Sequence, residues 1–335
     1  MKTRRLGRTG FDVSKLAFGG GVTGGILVFP EESVRVAALQ RAVAAGINLI
    51  DTAPTYGDGK SEATIGRYLP ELSPRPRVSS KFRLNPEDLG DIEGAMERSL
   101  EQSLRRLRLD RIDLLQFHGR LGWGPDMNAG APSLRVRHAP EILLKKGGVA
   151  DALDKMKARG MIGACGFTAM GESKACIEVA NSGRFDTAQV YYNAINPSAA
   201  WTQAPAGWRS QDFSGLMAAC KRHDMGMLNV RLYAGGPLAT ASLPKTLLVM
   251  VSNSDADNEV RCAAAVQKAL GDSYGTLAQV ALRFVLGNAD FSTHVIGLSD
   301  IAYLEEALAA AAMGPLPEAA MTSLQNLWRA DFKLA

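Results

Sequence analysis

Cysteine and histidine are scarce in this sequence, with four of each among 335 residues. Cys165, Cys176, Cys220 and Cys262 form no Cys-x-x-Cys pair and show no spacing typical of a metal site. Cysteines without such a pattern indicate buried free thiols in a reducing cytoplasm rather than a disulfide framework or a zinc site. We therefore expect no bound metal.

Long apolar runs and a strong excess of one charge are also missing. No stretch approaches the ~18 consecutive apolar residues of a membrane-spanning helix, and the start, MKTRRLGRTGFDV, has no apolar segment behind Arg4 and Arg5. The formal net charge is only +4, and acidic residues are interleaved with the basic clusters, as is typical of solvated helix faces. These features predict a cytoplasmic protein that binds neither membranes nor nucleic acids.

The chain does contain a regular alternation of short apolar runs with stretches in which apolar residues recur three and four apart. Such strand–helix alternation predicts a parallel sheet, and eight is the number of strands that closes a TIM-type barrel. A doubly wound sheet is disfavoured because the glycine-rich run KLAFGGGVTGGI leads into VFPEESV rather than directly into a helix. We expect one α/β domain, a (β/α)8 barrel spanning residues 1–335. The predicted strands are 15–20, 47–53, 77–82, 111–118, 161–169, 186–193, 226–233 and 293–299.

Three connections are longer than is usual between such elements, at residues 119–148, 194–213 and 234–257. Loops of that length without periodicity usually bind ligands or cover a site. Each follows a predicted strand, which places it on the C-terminal face of the barrel, where active sites are built. Trp123 lies in the first loop, and Trp201 and Trp208 lie in the second. These side chains either pack the loops down or line a substrate pocket, and the sequence leaves both possibilities open.

Titratable side chains stand at three successive predicted strand ends. Asp51 lies at the end of the second strand, Lys81 at the end of the third and His118 at the end of the fourth, and Tyr56 follows Asp51 in a loop rich in Gly, Pro and Asp. The C-terminal ends of barrel strands converge on one mouth, so we expect the four side chains to meet there. Each has a structural explanation on its own, as a cap, an edge lysine or a core histidine. Together they indicate a catalytic site.

This set of residues suits proton transfer to a carbonyl oxygen or from an alcohol. A free tyrosine is almost fully protonated at neutral pH, and a neighbouring ammonium such as that of Lys81 favours the phenolate. Asp51 would keep Lys81 charged and aimed, and a neutral His118 would orient the substrate oxygen. The sequence shows no nucleophile–base pair for acyl transfer and no metal-ligand cluster. The missing partner is therefore a hydride source, which a nicotinamide cofactor supplies.

The stretch IDTAPTYGDGKSEATIG (50–66), with VSSKF and LLQFH further on, resembles the signature of the aldo-keto reductases. The similarity extends from LGRTG (6–10) to IAYLEEALAA (301–310). It implies a (β/α)8 barrel whose bottom is closed by an N-terminal hairpin, LGRTGFDVSKL, and whose mouth binds a nicotinamide cofactor without a Rossmann fold. The catalytic tetrad of the family falls on Asp51, Tyr56, Lys81 and His118.

The cofactor-binding positions of the family carry over in part. Where the family has Ser-Asn after the fifth strand, this chain has Thr168 and Ala169, and Gln189 matches the family Gln on the sixth strand. Tyr233 is a candidate to stack on the nicotinamide, and Glu306 falls where a family Glu meets the adenine. The resemblance implies a cofactor site at Gly20, Gly21, Thr168, Gln189, Gly235, Pro237, Leu238, Gly297, Ser299, Tyr303 and Glu306.

The region after the last strand predicts a preference for NAD over NADP. Many NADP-specific members of the family carry a Lys-Ser pair and an Arg there, which clamp the ribose 2′-phosphate. The same places hold Gly297, Leu298 and Tyr303, with Asp300 between them. A 2′-phosphate needs cationic donors, and Asp300 would repel it. NADP binding stays possible if a basic loop residue such as Lys245 reaches the site.

The stretch NVRLYAGGPLA (229–239) resembles a motif of the sugar-dehydrogenase branch of the family, the threo-aldose, fucose and galactose dehydrogenases. This similarity implies NAD-dependent oxidation of an aldose or a related hydroxyl compound. The alternatives are an NADPH-dependent reductase of aldehydes or ketones, a non-catalytic cofactor-sensing partner of a membrane channel, and an unrelated barrel enzyme in which Lys81 forms a Schiff base. A lysine beside an aspartate stays charged, which makes it a poor amine nucleophile. The oligomeric state is left open.

Overall fold

Twelve strands and eleven helices alternate through residues 1–126, 135–240 and 249–333, the parts of the chain that the computed structural model describes. The strands are β1 (Thr3–Arg5), β2 (Asp12–Ser14), β3 (Leu16–Gly19), β4 (Leu49–Asp51), β5 (Arg77–Phe82), β6 (Ile112–Phe117), β7 (Arg120–Leu121), β8 (Arg137–His138), β9 (Ile162–Ala169), β10 (Thr187–Tyr191), β11 (Gly226–Val230) and β12 (Thr293–Gly297). The helices are α1 (Glu32–Ala44), α2 (Lys60–Tyr68), α3 (Ile92–Leu107), α4 (Pro140–Leu144), α5 (Val149–Ala158), α6 (Ser173–Asn181), α7 (Leu216–Arg222), α8 (Ala256–Leu270), α9 (Leu277–Leu286), α10 (Ile301–Met313) and α11 (Glu318–Arg329).

Eight of the strands close into a parallel barrel in the order β10-β11-β12-β3-β4-β5-β6-β9. Each barrel strand lies within its predicted range, so the predicted (β/α)8 barrel is confirmed. Nearly every position of these strands is buried, because the helices cover the outer face and side chains fill the inside. That double burial explains why the sequence shows continuous apolar runs there.

The helices follow from amphipathic patterns with capped ends. In α3, Ile92, Met96 and Leu100 are buried on one face, and the Asp91 side chain caps the helix by accepting a hydrogen bond from the Gly94 amide at 3.1 Å. Two helices of the C-terminal part, α8 and α11, were not predicted. They pack against each other on the outside of the barrel.

The strands β1 and β2 form an antiparallel hairpin that covers the N-terminal end of the barrel. The hairpin begins at Thr3, three residues before the segment in which it was predicted. Gly7 has a φ of +50°, and a Cβ there would lie 2.0 Å from the Gly226 amide nitrogen at the start of β11, so only glycine fits this contact. The hairpin closes the barrel with buried apolar side chains: Leu6 and Val13 pack with Ala17, Leu49, Leu114, Ala164 and Leu228.

The inside of the barrel changes from apolar to polar towards its C-terminal end. Alternate residues of a strand share one face, so Leu49 and Asp51 point the same way on β4, as do Leu114 and Gln116 on β6. The first member of each pair belongs to the apolar cluster under the hairpin. The second is a buried polar side chain. The barrel therefore carries its polar groups beneath the opening where its strands end.

All four cysteines are buried and free. Burial raises the pKa of Cys165, Cys220 and Cys262 to about 12 in each case, and that of Cys176 still further. Among the described residues, no helix combines the length and the apolar character that a membrane span requires.

Candidate active site

Three neighbouring barrel strands bring the predicted catalytic residues together. Asp51 is the last residue of β4, Lys81 is the penultimate residue of β5 and His118 directly follows β6. Register places Asp51 beside Ser79 on the next strand. Tyr56 lies in the loop between β4 and α2 and reaches over the same strand ends, because its ring contacts both Lys81 and His118.

A buried ion pair forms the floor of the site. Lys81 Nζ lies 2.6 Å from Asp51 Oδ2 and donates a second hydrogen bond to the backbone oxygen of Thr52 at 2.7 Å. The Lys81 side chain is 1% exposed and that of Asp51 is 6% exposed. At such burial, losing either partner would leave the other charge without compensation, which is strongly unfavourable.

The second carboxylate oxygen of Asp51 is held by neutral side chains. Ser79 Oγ donates to Asp51 Oδ1 at 3.0 Å, and Gln189 Nε2 donates to it at 2.8 Å. Gln189 in turn accepts a hydrogen bond from Thr168 Oγ1 at 3.2 Å. Asp51 and two of the predicted cofactor-binding residues, Thr168 and Gln189, therefore belong to one hydrogen-bond network.

Lys81 stays charged and faces the phenol. Burial by itself would lower the pKa of Lys81, but the charges and hydrogen bonds of Asp51 and Tyr56 outweigh it, so that the pKa is raised. The ammonium nitrogen lies 4.9 Å from the centre of the Tyr56 ring. Lys81 also does not line the cavity beside Tyr56, which weighs against a Schiff-base role.

His118 stands edge-on to Tyr56, with ring centres 5.9 Å apart. Burial holds the pKa of His118 well below its ordinary value, and the positive charges of Lys81, Arg83 and Arg231 lower it further. The imidazole is therefore neutral at neutral pH. Its Nδ1 is buried and has no hydrogen-bond partner among the residues that the structure describes. A neutral ring of this kind can hydrogen-bond the oxygen of a substrate.

A cavity of about 630 Å³, which we call the mouth cavity, opens over these residues. Asp51, Tyr56 and His118 line it at one end, which we call the catalytic end. Eight of the predicted cofactor residues also line it: Gly21, Thr168, Gln189, Gly235, Gly297, Ser299, Tyr303 and Glu306. The other three, Gly20, Pro237 and Leu238, are buried and do not line it.

The walls of the mouth cavity fit a nicotinamide dinucleotide. Exposed backbone lines it at Gly297, where an added Cβ would meet no protein atom within 4 Å. At Gly21 an added Cβ would lie 3.6 Å from Tyr56 Cζ, so a larger side chain there would crowd the phenol. Glycine allows a ligand to approach the backbone closely. The Thr168–Gln189 pair offers polar groups at the catalytic end, and Tyr233 offers an aromatic ring.

Two arginines of the site were missed from the sequence. Arg83 and Arg231 line the mouth cavity, and the Arg83 Nε donates to the backbone oxygen of His118 at 3.2 Å. Each is the first residue after a barrel strand, β5 or β11. This position after a strand was the available signal, but it does not by itself distinguish the two residues from surface arginines.

None of the three tryptophans of the long loops lines the mouth cavity. Trp201 contacts Trp208 edge to face, with ring centres 5.0 Å apart, and also contacts Trp328 of α11. Trp123 is exposed. Of the two possibilities, packing is confirmed for Trp201 and Trp208. Lys245, named as a possible phosphate partner, lies outside the described residues.

Comparison with known proteins agrees with this geometry. A protein-family model described as the aldo/keto reductase family matches residues 15–329. L-galactose dehydrogenase of Arabidopsis thaliana is 26% identical over 317 residues, which cover 92% of this chain and 88% of that protein. D-threo-aldose 1-dehydrogenase of a Pseudomonas species is 28% identical over 238 residues, which cover 63% of this chain and 66% of that protein.

A solved structure shows the same fold. The aldo/keto reductase from Klebsiella pneumoniae in complex with NADP and acetate superposes with a TM-score of 0.67 at 21% identity, covering 98% of this chain and 95% of that one. The family match spans nearly the whole sequence. This chain therefore belongs to the aldo/keto reductase family, whose members are oxidoreductases of carbonyl and alcohol substrates that use a nicotinamide cofactor.

Proposed function

We propose that this protein oxidises an aldose or a related hydroxyl compound with NAD. The observation that carries the proposal is the buried pair of Asp51 and Lys81, which holds an ammonium 4.9 Å from the centre of the Tyr56 ring at the floor of an open cavity. Two relatives along the chain are sugar dehydrogenases by name, which supports the substrate class.

In this proposal Tyr56 is the general base of oxidation and the general acid of reduction. In oxidation Tyr56 acts as the phenolate, with the Lys81 ammonium beside its ring, and takes the proton from the substrate hydroxyl while the carbon beneath it gives up a hydride to the bound nicotinamide. A bound nicotinamide supplies the hydride chemistry. In the reverse direction the phenol returns its proton to the carbonyl oxygen. Asp51 acts as a positioning residue, because it fixes Lys81 rather than touching the substrate.

His118 would orient the reacting oxygen. Its pKa is held well below the ordinary histidine value, so the ring stays neutral and does not compete with Tyr56 for the transferred proton. The edge-on contact with Tyr56 fixes the two side chains relative to each other. In reduction a carbonyl oxygen between them would accept one hydrogen bond from each side chain, and in oxidation the substrate hydroxyl would donate to Tyr56 and accept from His118.

The far end of the mouth cavity supports NAD over NADP. The far end is the part of the mouth cavity that is lined by Gly297, Ser299, Tyr303 and Glu306. Asp300, between them in sequence, caps α10 by accepting from the Ala302 amide at 2.8 Å. The cations that line the mouth cavity among the described residues, Arg83 and Arg231, stand at the catalytic end. A 2′-phosphate at the far end would meet the carboxylate of Glu306 and, among the described residues, no cation that lines this part of the cavity, which is costly.

The substitution Tyr56→Phe tests the proposal. Turnover of a panel of aldoses and aldehydes should fall by at least ~10²-fold, the scale of losing a general acid or base. The Kd of NADH, measured by fluorescence titration, should stay within about two-fold of the wild type, because a single hydroxyl is removed. Tyr68→Phe is the matched control, since Tyr68 bonds Glu32 on the outer helices.

Near-wild-type turnover by Tyr56→Phe would remove Tyr56 from the mechanism. Wild-type protein that binds cofactor but turns over no member of the panel would favour a cofactor-sensing binding subunit. Turnover with NADPH and aldehydes but none with NAD and aldoses would favour a carbonyl reductase.

A further inference from the structure

Two arginines face each other across the opening of the barrel. Arg83 follows β5 and Arg231 follows β11. In the order β10-β11-β12-β3-β4-β5-β6-β9, these two strands are four steps apart in either direction around the closed barrel. Both residues line the mouth cavity. The two side chains therefore enter the mouth cavity from opposite sides of the barrel opening.

Both guanidinium groups belong to the catalytic end of the mouth cavity. The charges of Arg83 and Arg231 lower the pKa of His118, and Tyr56 interacts electrostatically with each of them. The hydrogen bond that Arg83 donates to the backbone oxygen of His118 also places Arg83 at this end. Arg83 also stands at the end of the strand that carries Lys81.

The catalytic end carries an excess of positive charge. The charges of Lys81 and Asp51 cancel within their ion pair. Arg231 interacts with Glu259, but this carboxyl group is buried, does not line the mouth cavity and has its pKa raised by burial to about 7. Glu306, the other lining carboxylate among the described residues, accepts a hydrogen bond from Thr276 at the far end. An anion at the catalytic end would therefore find two cations and no exposed carboxylate.

The backbone of Arg231 has an unusual conformation, of a kind that is common at ligand-binding sites. Arg231 has a φ of +60°, which is strained for a residue with a Cβ. The conformation is fixed because the carbonyl oxygen of Arg231 accepts hydrogen bonds from Asn193 Nδ2 at 2.9 Å and from the Ala234 amide at 2.8 Å. Strained non-glycine residues cluster at ligand-binding sites. In this conformation Arg231 lines the mouth cavity.

We infer that the substrate carries a carboxylate, which Arg83 and Arg231 bind while Tyr56 and His118 hold the reacting oxygen. The guanidinium fork matches the two oxygens of a carboxylate and stays protonated at all working pH values. A uronate, or a small aldehyde or ketone that bears a carboxylate, meets this description. The inference rests on the proposed function, since it names the substrate class of the same site.

The test compares pairs of substrates in which one member carries a carboxylate and the other an uncharged group at the same position. D-galacturonate is compared with D-galactose in oxidation, and 3-formylbenzoate with its methyl ester in reduction. Wild-type enzyme should show a kcat/KM at least about 10-fold higher for the anionic member, and Arg83→Met and Arg231→Asn should each reduce that ratio about 10-fold, as expected for a hydrogen bond to a charged group. Asparagine is chosen at 231 because it tolerates positive φ. Arg98→Met is the matched control, since Arg98 is exposed on α3 and pairs with Asp91.

A binding measurement makes the inference independent of turnover. Calorimetric titration of the protein loaded with NADH should show tighter binding of benzoate than of benzamide, and each arginine variant should lose this difference. Equal kcat/KM for the members of each pair, or a ratio that neither variant changes, would overturn the inference. So would a variant that weakens NADH binding at least 10-fold while leaving the ratio intact, because that arginine would then bind the cofactor pyrophosphate.

Failure of the inference and failure of the proposed function are distinguishable. An enzyme that oxidises galactose as readily as galacturonate has the proposed activity without the anion site. A protein that turns over neither pair but still prefers benzoate to benzamide has the anion site without the proposed activity.

Discussion

The two ends of the mouth cavity are built from different interactions. At the catalytic end, Lys81 and Asp51 are almost fully buried, and side chains from three strands hold their ion pair in place. At the far end, Gly297 and Tyr303 are exposed, and the half-buried Glu306 accepts a hydrogen bond from the exposed Thr276. The proposed chemistry thus rests on tightly packed groups, and the proposed cofactor preference rests on groups that can be substituted at little cost to stability.

Among the substitutions that test this difference between the two ends, loss of Lys81 should have the largest effect on stability. Lys81→Met should lower the free energy of unfolding by about 3–5 kcal/mol, because Asp51 is left charged and buried without its partner. Urea denaturation measures the change. The double variant Asp51→Asn with Lys81→Met removes both charges and should recover part of the loss. If Lys81→Met lowers the free energy of unfolding by less than ~1 kcal/mol, the catalytic end is less rigid than its burial indicates.

A smaller effect should appear in the pH dependence of stability. Burial raises the pKa of Glu259, behind Arg231, from the ordinary 4.5 to about 7. The folded protein then keeps a proton that the unfolded chain releases over this range, so the stability that this group contributes is full below pH 4.5 and is lost as the pH rises through 7. The loss is at most about 3 kcal/mol.

Glu259→Gln should therefore flatten the stability profile between pH 5 and pH 8, as measured by urea denaturation at both values. The comparison is with wild-type protein and with Glu141→Gln, which alters an exposed glutamate. A profile as steep in Glu259→Gln as in the wild type would show that Glu259 titrates normally.

The smallest effect should come from the far end. Wild-type protein should bind NADH at least about 10-fold more tightly than NADPH, a difference of ~1.4 kcal/mol. Tyr303→Arg combined with Asp300→Ser should shift the preference towards NADPH without changing the free energy of unfolding by more than ~0.5 kcal/mol, because both positions are exposed. Fluorescence titration with both cofactors measures the shift, and Tyr274→Arg is the control. Equal or tighter NADPH binding by the wild type would overturn the NAD preference.

The two ends also differ in how much of the site could be predicted from the sequence. The barrel was predictable because its strands are short apolar runs bounded by helical periodicity. Asp51, Lys81 and His118 were identifiable because a titratable group at the end of a buried run is unusual. Their roles, and the single domain over 1–335, stay predictions.

Arg83 and Arg231 could not be recognised in the same way. An arginine after a strand resembles any surface arginine, and what distinguishes these two is that β5 and β11 lie on opposite sides of the barrel. Strand order in a closed barrel is a property of the whole chain. Some residues that the motif did identify turn out not to line the mouth cavity. Protein covers the side chains or Cα atoms of three predicted cofactor residues, Gly20, Pro237 and Leu238.

The burial of the four cysteines has a consequence for an enzyme that handles aldehydes and ketones. Carbonyl compounds and their unsaturated relatives are electrophiles, and the protein group that captures them fastest is a thiolate. With the pKa of Cys165, Cys220 and Cys262 at about 12 and that of Cys176 higher, almost no thiolate exists at neutral pH, and none of the four sulfurs is on the surface. The protein should therefore keep its activity in the presence of reactive substrates that would inactivate an enzyme with one exposed cysteine.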